Sequence, residues 1–413
     1  MSRSVDVELL TEVALAQARR LADSEDCLAA FREFMVGDVK SQMHTTSHWT
    51  GLPALALLVL ELGDGDADIA RAARFLQAAC LTVPVLVSEG RLHRLDIVGL
   101  AVGLGAFRKI VPGAFETAVP FVRTQMERAA AGMGRTILED VERGGHCRSF
   151  SQFDLIQGAA GLVLGSAVGG LGGDVGPASQ ALLRLISWLG GRPTWWVPHA
   201  PLEDVSSDAQ AFGPHANLSM AHGLMGILAA LQTTEFAEHA DVANARRKAV
   251  VWWGDSNLDV PIAWLGPGES DIQTVSGPRA WSWCYGSTGW SLVLGLGGRD
   301  ELARDFGDAA SELGSRVDVL GVPTGSMGLC HGVAGLYLRE GLTSEELGRI
   351  DRGVGLLLGG IVGCSSSVLD HVRGAALTSL LEGANGVILA RRLAHTGSSR
   401  TGWEQLLGRS VLT

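Results

Sequence analysis

The sequence predicts an all-α protein: a single α/α toroid, a double layer of about six or seven helical hairpins spanning residues 1–413. Three observations carry this expectation. A Gly-x-x-Gly frame recurs at the head of apolar stretches. The segments between those stretches have the spacing of amphipathic helices, and few segments show the period of two that strands require. With 413 residues, 46 % of them hydrophobic, the chain could fill two or three ordinary domains, but stacked repeats exceed that size as one body.

The first segment, MSRSVDVELLTEVALAQARRLAD, disperses its charges and lacks the apolar core of a signal peptide; it reads as an amphipathic helix. GLPALALLVLEL from Gly51 is a weak first copy of the frame. Its apolar run, Leu52 to Leu60, stops at Glu61 and is too short to cross a bilayer. Ala67–Ala79 reads as an outer helix, and GLAVGLGAF from Gly99 is a copy with slipped spacing. Residues 111–147 follow the frame poorly and leave room for an inserted element.

The five clear copies are GAAGLVLGSA from Gly158, GLMGILAAL from Gly223, GSTGWSLVLGL from Gly286, GVAGLYL from Gly332 and GANGVILARRLA from Gly383. Each is apolar almost all round, as a buried helix should be. Glu235–Trp253 and Arg299–Leu313 read as further outer helices. Pro and Gly clusters at 190–193, 198–214, 266–268 and 277–278 read as surface loops, and no segment is a convincing strand.

Composition excludes several classes of function. The formal net charge is −11, and no basic stripe offers a footprint for nucleic acid. The six cysteines are widely spread with no secretion signal, so a disulfide framework is not expected. No transmembrane segment is expected, and the chain reads as cytoplasmic. There is no P-loop, no dinucleotide-binding fingerprint and no Gly-x-Ser-x-Gly elbow.

The chemistry lies just before the glycines. One position earlier stand Gln157, His222, Tyr285, His331 and Glu382; two positions earlier stand Ile156, Ala221, Cys284, Cys330 and Leu381. In a toroid these positions face one rim. Cys284, Cys330 and His331 then suit zinc, which takes thiolate and imidazole and keeps a fourth position open in catalytic sites. His222 fits general acid–base work or the surroundings of the metal. Asp154, four residues before its glycine, could orient His222, hold a substrate amide or cap its own helix. Tyr285 could hydrogen-bond an oxyanion or the ligand shell, or be a buried aromatic with a satisfied hydroxyl. Arg279 could face an anion or simply be solvated. His146 with Cys147 reverses the Cys-His order outside the frame and reads as structural, and His44 and His48 also lack the frame.

WCYGSTGW, GLCHGVAG, NLSMAHGLMGIL, FDLIQGAAG and SLLEGANGVIL together resemble the lanthionine synthetase C-like proteins, most closely the free-standing cyclases of class I lanthipeptide biosynthesis. The resemblance implies an α/α toroid with one catalytic zinc per chain, held by Cys284, Cys330 and His331. It implies a precursor peptide dehydrated by a partner dehydratase, with an exporter as a further partner at the membrane. A peptide cysteine adds to dehydroalanine or dehydrobutyrine and closes a thioether ring. His222 is then expected to protonate the enolate, Asp154 to orient it or take the thiol proton, and Tyr285 to hold the enolate or ligand shell. The family's arginine lies three residues before the Trp of WCYG, whereas Arg279 lies four before Trp283. Two other classes compete: a related zinc protein that binds thiols such as glutathione without making rings, and a prenyltransferase-like zinc barrel, against which WCYG and CHG argue.

Overall fold

The computed structural model describes residues 7–29, 51–88, 94–189, 192–198, 214–255, 262–265, 272–274, 282–295, 328–339, 341–364, 379–381 and 383–409. They fall into two compact units. The expected helix Arg299–Leu313 and the residues Arg279, Glu382, His44 and His48 lie outside the described residues.

Unit 1 comprises 1–123, 168–172 and 314–404. It holds α1 (Val7–Asp23), α2 (Leu52–Leu62), α3 (Asp66–Ser88) and α4 (Arg94–Ile110). Its later helices are a 3₁₀ segment at Val333–Leu338, α11 (Ser344–Cys364) and α12 (Ala384–Thr396). α2 is the core: it starts on Gly51 at φ 89°, a left-handed angle that favours glycine, with Pro53 in the first turn. It packs against α1, α3, α4 and α12, and Asn385 Nδ2 of α12 donates to Ala54 O at 2.9 Å. The last repeat thus lies on the first.

Glu61, the residue that ends the apolar run, is buried. It accepts from Thr401 N (2.8 Å), Thr401 Oγ1 (2.6 Å) and Arg400 N (3.1 Å), and so pins the C-terminal segment to α2. α3 is the one described helix long and apolar enough to cross a membrane. Its residues Ala72, Phe75 and Leu76 are fully buried and it packs along α2 and α4, as a core helix does. Asp68 in its first turn accepts from Arg19 Nε (2.9 Å), Arg19 Nη2 (2.6 Å) and Arg71 Nη1 (2.9 Å).

Unit 2 comprises 124–167, 173–313 and 405–413. Its helices are α5 (Ala118–Gly144, entering from unit 1), α6 (Ala159–Gly169, leaving into it), α7 (Gly176–Leu185), α8 (Leu224–Leu231), α9 (Ala240–Asp255) and α10 (Ser287–Gly295). The irregular stretch 111–147 is a turn followed by the 27 residues of α5. Val122, Met126, Ala130, Met133, Ile137 and Val141 form its buried face.

Strands were not expected, yet the described residues of unit 2 contain six. β1 (Trp188–Leu189) and β2 (Arg192–Pro193) form a hairpin across the loop predicted at 190–193. β3 (Trp196–Val197), β4 (His215–Asn217), β5 (Ile262–Leu265) and β6 (Ile272–Thr274) form an antiparallel sheet in that order. At two to four residues each, they are too short to display a period of two. The stretch after Gly332 is also 3₁₀ rather than α.

The Gly-x-x-Gly frame has one steric cause, repeated. A Cβ on Gly161, Gly226, Gly289 or Gly386 would overlap the carbonyl oxygen of Leu155, Met220, Trp283 or Leu380 respectively. Each is the second glycine of its copy, and each carbonyl lies three residues before the first. The first glycine closes the turn: Gly158, Gly286, Gly332 and Gly383 N–H donate to Asp154, Ser282, Gly328 and Ser379 O at 3.0–3.1 Å. Gly289→Ala should therefore destabilise the protein by about 1–3 kcal/mol, the usual cost of overpacking, read as a lower thermal midpoint. Gly132→Ala on α5, where a Cβ meets nothing within 4 Å, should be neutral or stabilise by up to about 1 kcal/mol.

Candidate active site and metal ligands

In unit 2 three successive pre-glycine turns are linked by main-chain hydrogen bonds. Leu155 N donates to Ala221 O (3.0 Å), and Met220 N donates to Cys284 O (2.8 Å). The same kind of link recurs in unit 1, where Cys330 N donates to Leu381 O (3.0 Å). Within a turn, the side chain four residues before the glycine accepts from the N–H one residue before it. Asp154 Oδ1 takes Gln157 N (2.6 Å), Ser219 Oγ takes His222 N (3.1 Å) and Ser282 Oγ takes Tyr285 N (3.3 Å). Those bonds fix the backbone from which Gln157, His222 and Tyr285 project. The signal was present in the sequence as a small oxygen-bearing residue at Asp154, Ser219, Ser282 and Ser379, but only the hydrogen bonds reveal its purpose.

His222 and Asp154, 68 residues apart, meet here. His222 Nδ1 lies 2.8 Å from Asp154 Oδ2. A carboxylate can only accept, so Nδ1 carries the proton and Nε2 is left for chemistry. Asp154 is fully buried, whereas the His222 side chain is 23 % exposed. The other carboxylate oxygen, Oδ1, takes the N–H groups of both Gln157 and Gly158 (2.8 Å). Capping and orienting are therefore one arrangement and not alternatives. Phe150 packs against the imidazole at a centroid distance of 5.0 Å, and the Tyr285 ring lies 6.2 Å away. Phe150 carries no motif and precedes its glycine by eight residues, so nothing in the repeat frame pointed to it.

Cys284 is buried in unit 2, with its Sγ 3.7 Å from Ser282 Oγ. In unit 1 Cys330 Sγ lies 3.9 Å from His331 Nε2. A tetrahedral zinc with sulfur at about 2.3 Å and nitrogen at about 2.0 Å separates two such ligands by roughly 3.6 Å, so the pair is close to ligating geometry. Cys330 and His331 thus offer two donors for a metal ion, and Cys284 is by residue type the third member of the expected Cys₂His set. The remaining described cysteines differ. Burial pushes the Cys80 thiol up to about 11 and Cys147 higher still, and Cys27 is exposed without a described metal-binding group. His146 Nδ1 lies 2.9 Å from Cys147 O, a local loop contact.

Residues 123–348, more than half of the chain, match the profile of the family described as lanthionine synthetase C-like protein. The chain belongs to the lanthionine synthetase C-like family. Among solved structures, one titled "Nisin cyclase" aligns over 98 % of this chain and 98 % of its own, with a TM-score of 0.65 and 20 % sequence identity. At that identity the likeness shows the fold, an α/α toroid. No curated protein matches the chain.

Asp154→Asn tests how the family member holds His222. The Asn oxygen can still take the N–H groups of Gln157 and Gly158, while its NH₂ now faces Nδ1. The expected result is a folded protein whose His222 moves its proton to Nε2, read in imidazole ¹⁵N–¹H spectra. An unchanged tautomer would contradict the assigned geometry.

Proposed function

We propose that this protein is a zinc-dependent lanthipeptide cyclase. It adds the cysteine thiols of a dehydrated precursor peptide to dehydroalanine or dehydrobutyrine and so forms lanthionine or methyllanthionine rings. The observation that carries the reading is the His222–Asp154 pair, set beside Tyr285 in the same turn frame that supplies Cys284. Family membership supports it, and so does the Cys₂His donor set. That set fits zinc by its chemistry: two thiolates offset the charge of the ion, and three protein ligands leave one position open.

Cys284, Cys330 and His331 would hold the ion, which when bound keeps a substrate sulfur deprotonated at neutral pH. The new bond joins sulfur to Cβ of the dehydroamino acid, and the π electrons move toward Cα and its carbonyl. The resulting enolate needs a proton at Cα, and the proton lost by the thiol balances it. His222 has the means to deliver that proton from Nε2, because Asp154 holds Nδ1–H and stabilises the imidazolium. The hydroxyl of Tyr285 is suited to hold the enolate oxygen. In this reading the dehydrated peptide is supplied by a partner dehydratase, an exporter takes the product, and the chain works in the cytoplasm, where thiols stay reduced.

Ring closure leaves the peptide mass unchanged, so the assay must count free thiols by alkylation and mass spectrometry. The wild-type protein should carry about one zinc per chain, as expected for a single Cys₂His centre, and should protect the peptide thiols. Cys330→Ala should lose both properties. His222→Ala should keep its zinc and lose about 10²–10⁴-fold in rate, the usual worth of a general acid. A zinc-loaded wild type that leaves every thiol alkylatable would favour the thiol-binding reading, and full zinc retention in Cys330→Ala would overturn the ligand assignment.

A further inference from the structure

We propose that Asp140 is a positioning residue that sets the aim of His222. The proposal rests on the reading of His222 as the proton donor. Asp140 lies on α5, outside every repeat motif, and its side chain is 3 % exposed. Its Oδ2 accepts from Arg148 Nε (2.7 Å) and Gln152 Nε2 (2.8 Å), and its Oδ1 accepts from Arg143 Nη1 (3.2 Å). The Arg148 guanidinium is the main cause that holds the Asp140 carboxyl below the usual carboxylate range. Both arginines are about two-thirds exposed, so water could solvate them unaided. The amide of Gln152 is the partner with fewer alternatives.

Gln152 uses both ends of that amide. While Nε2 reaches Asp140, Oε1 accepts from Arg148 N (2.8 Å) and Ser149 N (3.2 Å). It thereby closes a capping box with Ser149 around the 3₁₀ turn Phe150–Gln152. That turn acts on His222 directly and through Asp154. The Phe150 ring packs on the imidazole, and Phe150 O accepts from Asp154 N at 2.8 Å, which places the carboxylate on Nδ1. One small turn therefore sets both the face and an edge of the imidazole, and Asp140 anchors the turn to α5. Displacing the turn would rotate Nε2 away from Cα without touching the donors for zinc.

The test reads the imidazole directly and the reaction separately. In Asp140→Ala and in Gln152→Ala, the His222 resonances of ¹⁵N-histidine-labelled protein should shift in the same direction, with the other histidines unmoved and zinc content unchanged. The double variant should shift them no further. In the thiol-alkylation assay kcat should fall about 10- to 100-fold, the scale of a small misplacement, with KM held within about twofold. Asp140→Asn, which keeps an acceptor oxygen, should recover most of the loss. Unmoved His222 resonances in either folded single variant would overturn the proposal, as would equal losses in kcat and zinc. If Asp140→Ala does not fold, Gln152→Ala carries the test alone. A wild type that closes no rings would overturn the cyclase reading, and the resonances would still decide the role of Asp140.

Discussion

The packing of a glycine against a carbonyl oxygen underlies the rest of this architecture. Gly161, Gly226, Gly289 and Gly386 each leave room for the carbonyl three residues before the start of their frame. That approach lets the chain fold back on itself at the head of a buried helix. The turn it produces is tight enough for the residue four before the glycine to cap it, and the cap fixes the residue one before. A steric allowance at one atom thereby becomes control of a side chain four residues away. The protein uses that control where the side chains are His222 and Tyr285, and it uses the same turn to present Cys284.

Asp154 shows how a capping position acquires a second purpose. Its copies in other repeats are serines, Ser219 and Ser282, whose single oxygen can cap and do little else. A carboxylate has two oxygens. One satisfies the turn, and the other reaches the next repeat and fixes the tautomer of His222. The burial of Asp154 is tolerable because its acceptors are used by charge-assisted hydrogen bonds on both sides. Unit 1 treats its acids by the same rule: the buried Glu61 takes three donors from Arg400 and Thr401, and the part-exposed Asp351 takes Tyr337 and Arg391.

Much of this was legible in the sequence, and the parts that were not share a cause. The helices α1, α3 and α9 were visible because a 3.6-residue period persists over several turns. The six strands were not, since two to four residues cannot establish a period, and pairing between distant segments such as Ala216 with Leu265 carries the sheet. The 3₁₀ form of Val333–Leu338 was equally hidden, because its composition is that of any buried helix. His222 was found by its place in the frame. Phe150 and Asp140, which shape its surroundings, have no place in the frame and could only be found through space.

By itself the sequence determined the repeat, the buried helices that follow each glycine pair, and the Cys, His and Tyr residues that stand before them. Repetition makes such features legible, since one steric need imposes the same residues each time. Only the tertiary structure decided that Asp154 both caps its turn and holds His222, that Glu61 clasps the C-terminal segment, and that the turn after α5 lies against the imidazole. Those are single contacts between residues far apart in the chain. Each depends on where two unrelated segments come to rest, and no local pattern records that.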